Sequence, residues 1–408
     1  MKIKMNIVHV EDFFHPDAGY QINILPKYMT NEGHNVTIVT AELKKIPEEL
    51  TSFFGKDNIK KRDDSYTDKT GVKIIRLPIK AFISGRAVFG KELDNTIESL
   101  NPDILYVHGN DTLTGMRYIN KLRKLKYPVV MDSHMLEMAS TNKFSKLYKQ
   151  FYRKFFTPKI KDYNLKIIRT QNDSYVEKHL GIPIEQCPWI SVGSDTILFH
   201  PDEKVKKEFR KENNISDDDF VVVYTGKLIE SKGAKLLAQA FEKKLENSKN
   251  KKIVLVVVGN TSGEYGKEVE KIFKKSQNRI IRFPTQKYMD LAKFYQASDL
   301  SVFPKQCSLS FYDAQACGLP VVSENNTINV DRLKNNNGFN FELGDIDDFR
   351  EKIKKCVEMD DSKYQEMKNN AINFVKENYD YKDISKQYTK ILLDEYNRFN
   401  FGGIKNAN

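Results

Sequence analysis

Short apolar runs alternate along the chain with longer amphipathic segments, and this alternation predicts a parallel β-sheet covered by helices. The first series of apolar runs lies at residues 3–10, 35–40, 72–77, 103–108, 127–132, 166–171 and 187–192. Segments with helical spacing separate them, for example 21–31 and 91–100. Strands that alternate with helices usually pair in parallel, because each helix carries the chain back across the sheet. This part of the chain is therefore predicted to form one Rossmann-like domain.

The same rhythm restarts in the second half of the chain and predicts a second domain. Apolar runs at 220–226, 252–259, 279–284, 299–304 and 319–324 form this second series. Gly193, Asp195 and Pro201 mark a hinge between the two series. A chain of 408 residues also exceeds what one hydrophobic core usually supports. The predicted fold class is α/β, with two doubly wound Rossmann-like domains, 1–194 and 195–379, that face a cleft.

The composition is typical of a globular protein and limits the compartments and partners to be considered. Hydrophobic residues make up 40% of the chain and charged residues 30%. No apolar run approaches the ~18 residues that a membrane-spanning helix needs. The four cysteines are scattered without a Cys-x-x-Cys pair, which favours a cytoplasmic location and no structural zinc. The net charge of +11 indicates an anionic partner but leaves nucleic acid, a membrane surface and a phosphorylated small molecule open.

Ligands of doubly wound sheets bind beyond the carboxyl ends of the strands, so the loops at those ends are candidate binding segments. The first loop, 11–21, contains a single glycine, Gly19, shortly before a predicted helix. This is not the Gly-x-Gly-x-x-Gly fingerprint of dinucleotide-binding proteins. Gly19 therefore indicates either a tight turn or a place where a substrate approaches the backbone.

A second loop, 225–241, carries two cations where a helix is expected to begin. Lys227 follows an apolar strand, and Lys232 comes shortly after it. Ser231 is the expected N-cap of the helix. A diphosphate suits such a place, because cations and backbone amides converge there. Judged alone, two solvated surface lysines explain the stretch equally well.

The third segment, 303–324, ends an apolar strand, passes through a helix of small residues and enters another strand. Asp313 lies near the start of this helix, where a carboxylate is favourable for the helix dipole even without a ligand. Residues 313–322, Asp-Ala-Gln-Ala-Cys-Gly-Leu-Pro-Val-Val, resemble the ending of the E-x7-E motif in family 4 glycosyltransferases. These are retaining enzymes of GT-B fold.

Other motifs of this family follow in the same order across nearly the whole chain. They are the glycine loop at 16–21, the strand ends at 102–109 and 129–135, the interdomain segment 193–201 and the phosphate loop 225–233. The resemblance implies a retaining, hexosyltransferase-type enzyme of glycan biosynthesis. It also implies that a final helix, 380–402, returns to the first domain.

The resemblance assigns roles to individual residues. Lys227 and Lys232 would hold the donor diphosphate and stabilise the departing nucleoside diphosphate. Asp313, in place of the second glutamate of the motif, would bind ribose hydroxyls. Gly19 would lie near the donor phosphate and the acceptor. His134 matches the histidine that contacts the donor sugar, and with the two lysines it completes the set of candidate catalytic residues.

Some assignments remain open at this point. His108 also follows a strand and competes with His134 for the sugar contact. Backbone amides of Ser308 and Leu309 would add donors to the diphosphate. Because lysines and amides neutralise the phosphates, the resemblance implies no metal, and no cofactor is expected besides the nucleotide-sugar donor.

The largest departure from the family pattern lies eight residues before Asp313. Lys305 stands where the motif has its first glutamate, and Gln306 takes that place if the loop is offset by one residue. A lysine only donates hydrogen bonds, so Lys305 suits an acidic donor sugar. The alternative is that Lys305 faces solvent and that Gln306 or Ser308 contacts an ordinary hexose.

These observations predict a metal-independent transferase that moves a sugar from a nucleotide sugar to a glycan, a lipid-linked acceptor or another cell-surface precursor. Lys305 keeps open a second class, a catalytically silent GT-B subunit that binds a glycan or a partner transferase. A GT-B sugar-nucleotide epimerase is a third possibility, which the Ala-Cys-Gly-Leu-Pro sequence disfavours.

One segment outside these motifs, 142–161, is rich in basic and aromatic residues and has no acidic residue. Aromatic residues at 144, 148, 151 and 155 share one helical face, as in a helix that packs against a core. A helix at an anionic membrane surface, on the inner face of the cell membrane, explains the cations equally well. No nucleic-acid partner is expected, because no recognised binding module surrounds the segment.

Overall fold

The structure, a computed structural model, describes residues 3–51, 54–83, 85–135, 145–305 and 309–402. The chain divides into two compact units. Unit 1 is Met1–Val192 together with Tyr381–Asn408, and unit 2 is Gly193–Asp380.

A parallel sheet forms the centre of unit 1. The strands are β1 (Asn6–Glu11), β2 (Asn35–Ala41), β3 (Lys73–Leu77), β4 (Ile79–Ile83), β5 (Arg86–Phe89), β6 (Ile104–Val107), β7 (Val129–Ser133) and β8 (Lys166–Arg169). Six of them pair in parallel in the order β3-β2-β1-β6-β7-β8. Strands β4 and β5 form a separate antiparallel pair. The central strand β6 is buried along its whole length, as expected for a parallel sheet with both faces covered.

Helices connect these strands. They are α1 (Gln21–Asn31), α2 (Glu48–Thr51), α3 (Ile59–Thr70), α4 (Glu92–Leu100), α5 (Leu113–Ile119), α6 (Ser145–Phe155), α7 (Thr157–Tyr163) and α8 (Tyr175–Lys178), with 3-10 turns at Leu43–Lys45, Leu122–Lys124 and Ile184–Gln186. Helix α1 continues without a break through Pro26, and its apolar face is buried.

Unit 2 repeats the same architecture. Its strands are β9 (Phe220–Thr225), β10 (Ile253–Val258), β11 (Arg279–Phe283), β12 (Leu300–Phe303), β13 (Val321–Glu324) and β14 (Gly338–Phe341). They pair in parallel in the order β11-β10-β9-β12-β13-β14. All residues of β9 and β10 are buried, because helices cover both faces of the sheet.

The helices of unit 2 follow its strands in the same alternating way. They are α9 (Glu203–Glu212), α10 (Ala234–Ala240), α11 (Gly263–Lys275), α12 (Ala292–Gln296), α13 (Ser310–Ala316), α14 (Thr327–Arg332), α15 (Ile346–Glu358) and α16 (Asp361–Asn378), with 3-10 turns at Glu230–Lys232 and Tyr288–Asp290.

The final helix, α17 (Tyr381–Phe401), is part of unit 1 although unit 2 precedes it in the sequence. The ring of Tyr381 stacks on that of Tyr28 in α1, with 6.3 Å between their centroids. The hydroxyl of Tyr388 accepts a hydrogen bond from Nε2 of Gln21 at 2.7 Å and donates one to the carbonyl of Ile190 at 3.1 Å. Buried aromatic and polar contacts thus attach α17 to α1.

In its described ranges, the structure differs from the predicted strands in two ways: one predicted strand is absent and three strands are additional. Residues 187–192 are not a strand, because Pro188 has no N–H and only an isolated bridge joins Trp189 to Arg169. Strands β4, β5 and β14 were not predicted. Each of them is short and only partly buried, so its sequence lacks a continuous apolar run.

Helix α6 packs a different face from the one that the aromatic spacing predicts. Tyr152 and Phe156 are buried and Tyr148 is half-buried, whereas Phe151 and Phe155 are 47% and 48% exposed. The first of the four aromatic positions lies outside the described residues. The predicted stripe combined two neighbouring rows of the helix surface, and only one of them faces the core. No helix in the described ranges is long and apolar enough to cross a membrane.

We predict that Leu392→Ala, on α17, lowers the free energy of unfolding by about 2–5 kcal/mol, because it leaves a cavity in the core of unit 1. Leu392 is fully buried, whereas Lys390 on the same helix is exposed. Urea unfolding measures the change. Lys390→Ala is the matched control and should leave the midpoint almost unchanged, and equal midpoints for both variants would contradict the packing of α17.

Candidate active site

The loop after β9 places two of the predicted lysines at the carboxyl edge of the sheet of unit 2. Lys227 follows Gly226, whose φ of 143° favours glycine. The carbonyl of Lys227 accepts a hydrogen bond from the hydroxyl of Tyr224 at 2.9 Å. Lys227 and Lys232 are both half-buried, and burial lowers the pKa of Lys227. Partly desolvated cations of this kind attract an anion more strongly than fully solvated ones.

The helix after this loop begins differently from the sequence prediction. Ser231 lies inside a 3-10 turn, and the N-cap of α10 is Gly233 with a φ of 74°. A Cβ atom at Gly233 would lie 3.0 Å from the Cβ atoms of both Pro304 and Lys305. Glycine is therefore required for the backbone angle and for the close approach of the loops after β9 and β12.

A second glycine, outside the motifs that the sequence indicates, brings the loops after β9 and β10 together. A Cβ atom at Gly259 would lie 2.0 Å from the carbonyl oxygen of Gly226. The N–H of Leu228 donates to the carbonyl of Asn260 at 3.3 Å. The loop that carries Lys227 is therefore fixed from the side of β10 as well.

The loop after β12 is described only in part. Lys305 is exposed, and Gln306 and Ser308 lie outside the described residues. Leu309 is partly buried and occupies the N-cap of α13. Of the diphosphate-binding amides that the resemblance implies, the structure therefore describes only that of Leu309, at the start of the helix that carries Asp313.

Lys305 has an acidic neighbour within unit 2. Glu324, at the carboxyl end of the adjacent strand β13, is 5% exposed and interacts electrostatically with Lys305. Burial raises the pKa of Glu324, although a hydrogen bond from the N–H of Gly344 at 3.3 Å and the charge of Lys305 oppose the rise. A nearby carboxylate weakens the argument that Lys305 needs an acidic donor sugar.

Asp313 is buried on α13, and two hydroxyl groups hold its carboxyl group. The hydroxyl of Ser194 donates to Oδ1 at 2.7 Å and that of Tyr288 at 3.4 Å. Burial raises the pKa of Asp313 to about 8, against the hydrogen bond from Ser194 and with help from the charge of Asp195. The carboxyl group is therefore largely protonated at neutral pH.

In unit 1, Gly19 lies between β1 and α1, as its loop position predicted. It is partly exposed, and it is not among the glycines with positive φ. Tyr20 is the N-cap of α1, and its N–H donates to Oδ1 of Asn23 at 3.2 Å. The backbone angle at Gly19 therefore does not by itself require glycine.

His134 follows β7, and its side chain is 46% exposed. The competing His108, after β6, is only 3% exposed, and its Nδ1 lies 2.7 Å from Oδ2 of Asp132. Of these two histidines, only His134 presents a substantial surface to solvent. His134 is therefore the more accessible of the two histidines.

One cluster of side chains in the described ranges could hold a metal ion. It consists of His108, Asp132 and His134, whose potential ligand atoms lie within 4.8 Å of one another. Hydrogen bonds account for the arrangement without one. Oδ1 of Asp132 accepts from the N–H of Gly109 at 2.7 Å, and Oδ2 accepts from the hydroxyl of Tyr106 at 3.0 Å. We therefore interpret the group as a hydrogen-bond network.

The structure thus gathers the predicted residues into two sets. Lys227, Lys232, Lys305, Leu309 and Asp313 lie in the segments that follow the neighbouring strands β9 and β12 of unit 2. Gly19 and His134 lie after β1 and β7 of unit 1, where β6 separates the two strands.

Sequence reasoning did not single out four side chains that hold these residues. Ser194 and Tyr288 bond Asp313, Glu324 lies beside Lys305, and Asp132 lies beside His134. The acids at positions 132 and 324 each end an apolar strand, which is a signal that could have pointed to them. The contacts of the two hydroxyls join distant segments, so no local pattern reveals them.

Comparison with known proteins agrees with this architecture. Residues 205–374 match the family model described as Glycosyl transferases group 1. A probable sucrose-phosphate synthase of Thermosipho melanesiensis is 22% identical over 93% of this chain and 92% of its own length.

Solved structures of glycosyltransferases share the fold. A glycosyltransferase from Rickettsia africae superposes with a TM-score of 0.74 at 15% identity, covering 96% of this chain and 98% of that one. HepE of Anabaena in complex with UDP-glucose gives 0.70 at 16% identity, covering 96% and 100%. The chain has the GT-B fold, and the family match supports a glycosyltransferase.

We predict that Asp313→Asn makes unit 2 less sensitive to rising pH. The unfolded carboxyl group ionises near its ordinary pKa of about 3.9, whereas the folded one keeps its proton up to about 8. The parent should therefore lose stability between pH 5 and pH 8, by at most about 1.4 kcal/mol per pH unit. Asparagine is neutral in both states and escapes this loss.

Urea unfolding at pH 5, 6, 7 and 8 measures the difference between parent and variant, which should widen as the pH rises. Asp218→Asn, at an exposed position of the same unit, is the control and should follow the parent at every pH. Parallel curves for the parent and Asp313→Asn would show that the buried carboxyl group is ionised throughout.

Proposed function

We propose that the chain is a retaining, metal-independent glycosyltransferase that moves a hexose-type sugar from a nucleotide sugar to a glycan, a lipid-linked acceptor or another cell-surface precursor. One observation carries the proposal. Two half-buried lysines and a buried aspartate lie after neighbouring strands of unit 2, at the edge where doubly wound sheets bind nucleotides.

The two lysines suit the diphosphate of such a donor. When the glycosidic bond breaks, negative charge develops on the leaving nucleoside diphosphate, and cations fixed near it stabilise that charge. Lys227 and Lys232 start from a partly desolvated environment, so little reorganisation is needed when the anion arrives. With two cations at the phosphates, a divalent metal is not needed for charge neutralisation.

The remaining assignments follow the resemblance to family 4 enzymes. Asp313 serves the ribose through its carboxyl group, and the amide of Leu309 serves the diphosphate. Gly19 is assigned to the donor phosphate and acceptor region, and His134 to the donor sugar. Retention of the anomeric configuration means that the acceptor hydroxyl attacks from the face that the diphosphate leaves, and no side chain is assigned as a covalent nucleophile.

The donor is a nucleotide sugar in this proposal. HepE of Anabaena, which shares the fold, has been crystallised in complex with UDP-glucose. The base, the sugar and the acceptor of this chain are separate questions. The silent-subunit alternative differs from the proposal in one property, the turnover of a donor by the purified chain.

We predict that Lys232→Ala and Lys227→Ala each weaken the binding of a nucleoside diphosphate by about tenfold or more, because each removes a charge-assisted contact. Isothermal titration calorimetry with UDP, ADP and GDP measures the affinity. Lys235→Ala is the control, since Lys235 is exposed at the start of α10 and pairs with Glu268 at 3.3 Å. Undiminished binding by both variants would remove the phosphate assignment.

Turnover tests the enzyme and its mechanism together. We predict that a chelator leaves donor consumption unchanged and that Lys232→Ala abolishes most of it, while NMR of the product shows the anomeric configuration of the donor. Loss of turnover on chelation would contradict the metal-free mechanism. A parent chain that binds nucleotide sugars but never consumes them would favour the silent subunit.

The membrane is a second proposed partner, and α6 supplies the observation. Leu147, Phe151 and Phe155 lie at intervals of four residues, and their exposed fractions are 69%, 47% and 48%. The other row, with Tyr152, already anchors the helix in the core. An exposed apolar row of this kind matches a helix that lies in the interface of a lipid bilayer.

Charge on the same helix favours an anionic surface. Lys146, Arg153 and Lys154 are exposed, and the helix has no acidic residue. Lys154 lies 5.5 Å from the ring centroid of Phe155, so cation and apolar row adjoin. We propose a cytoplasmic protein that binds the inner face of the cell membrane through α6, which would bring it to a lipid-linked acceptor.

We predict that Lys146→Gln with Lys154→Gln lowers binding to anionic vesicles at least tenfold, because each cation near such a surface contributes about 1 kcal/mol. Phe151→Ser with Phe155→Ser should lower binding to the same vesicles while circular dichroism shows that the protein stays folded. Vesicle sedimentation at low and high salt measures both effects. Lys204→Gln with Lys207→Gln, exposed on α9, removes the same charge elsewhere and is the control. Equal losses in both lysine pairs would indicate net charge alone.

A further inference from the structure

The solvent-facing histidine of unit 1 is connected to a buried carboxylate and to two further histidines. Oδ2 of the fully buried Asp132 lies 3.3 Å from Nε2 of His134 and 2.7 Å from Nδ1 of His108. Nε2 of His108 lies 3.0 Å from Nδ1 of His9, which is fully buried in β1. A continuous row of ionisable side chains therefore leads from the interior of the sheet to its exposed carboxyl edge.

His9, at the buried end of this row, indicates which ring nitrogens of His9 and His108 carry protons. Nε2 of His9 has no hydrogen-bond partner among the described residues, and burial lowers the pKa of His9 well below its ordinary value. A buried N–H without a partner is rarer than a buried acceptor without one, so the proton of neutral His9 belongs on Nδ1. His9 then donates to His108, and His108 donates from Nδ1 to Asp132.

The exposed end follows from the chemistry of Asp132. Burial raises the pKa of this carboxyl group, but the charge and hydrogen bond of His134 and the hydrogen bond of His108 bring it well below the ordinary value. A carboxylate only accepts hydrogen bonds, so Nε2 of His134 carries a proton. Nδ1 of His134 lies 3.2 Å from Oγ1 of Thr170, which also lies 3.1 Å from the carbonyl oxygen of Ser133. When the hydroxyl donates to that carbonyl, it accepts from Nδ1, and His134 then carries protons on both nitrogens.

We propose that Asp132 is a positioning residue for His134, whose exposed ring it orients and holds with protons on both nitrogens. The family resemblance concerns His134 alone and says nothing of the row behind it. The charge of the His134 ring does not depend on the proposed function. Only the role of that charge in turnover rests on it. A half-exposed imidazolium suits a ligand oxygen that carries negative charge.

The other charged groups around His134 do not replace Asp132. Burial lowers the pKa of His134, the charge and hydrogen bond of Asp132 raise it, and the net pKa lies above the ordinary value. Glu11 on β1 adds to the rise, and Arg86 on β5 opposes it. Asp111, after β6, also interacts with His134, and burial raises the pKa of both Glu11 and Asp111. Asp132 makes the largest favourable contribution among these groups.

Histidine NMR on the full chain tests the proposal. The chain contains seven histidines, so ring-labelled protein gives a tractable spectrum, and His134→Gln identifies the signal of His134. In the parent, both ring nitrogens of His134 should have the chemical shifts of protonated nitrogens at pH 7. In Asp132→Asn, the midpoint of titration should fall by about one pH unit or more.

Asp63→Asn is the matched control. Asp63 is another buried carboxylate of unit 1, whose Oδ2 lies 2.6 Å from Nε of Arg76, and its substitution should leave the midpoint of His134 unchanged. If Asp132→Asn does not fold, the parent spectrum alone decides, since a neutral ring of His134 at pH 7 overturns the proposal. One bound zinc ion per parent chain that Asp132→Asn lacks would also overturn it, because the network would then be a metal site.

Turnover supplies a readout that a purely structural role would not move. In the parent, donor consumption should decline at high pH as His134 loses its proton, and Asp132→Asn should shift that decline to lower pH by the amount seen in the spectra. A variant that lowers the rate equally at every pH overturns the positioning role. A parent without any turnover would contradict the proposed function, while the spectra would still decide the role of Asp132.

Discussion

Parallel pairing is the constraint on which both candidate sites depend. In each six-stranded sheet every strand runs in the same direction, so all carboxyl ends lie at one edge and the loops that leave them meet there. Lys227 follows β9 and Lys305 follows β12, and these strands are hydrogen-bonded neighbours although the two lysines are 78 positions apart in sequence. Glycine at 233 then lets the two loops approach to backbone distance.

The two buried carboxyl groups at these edges show how partners decide charge. Asp132 has two histidines beside it, and their hydrogen bonds, with the charge of His134, outweigh burial and keep it ionised. The described partners of Asp313 are two hydroxyl groups, and the negative charge of Asp195 lies nearby, so burial prevails and the group keeps its proton up to about pH 8. Similar burial thus produces an anion in unit 1 and a neutral acid in unit 2.

Helix α6 presents the reverse situation, because apolar side chains remain exposed there. There the apolar row of Leu147, Phe151 and Phe155 stays in water, which costs free energy unless another surface covers it. Exposed cations on the same helix indicate that an anionic surface is the best match. The membrane proposal therefore rests on a row that the sequence could not distinguish from the core row beside it, since both repeat every four residues.

The apolar rhythm of the sequence determined the fold class, because strands buried on both faces must be apolar throughout and their helices amphipathic. It also located the loops of Lys227, Lys232, Gly19 and His134, since those loops follow the strands directly. Strands β4, β5 and β14 escaped prediction because partly buried strands carry no continuous apolar signal. Only tertiary structure decided which row of α6 faces the core, that Glu324 lies beside Lys305, and that Ser194 and Tyr288 hold Asp313. Each of these depends on segments far apart in sequence, and burial and charge at a residue follow from all the neighbours that folding brings to it.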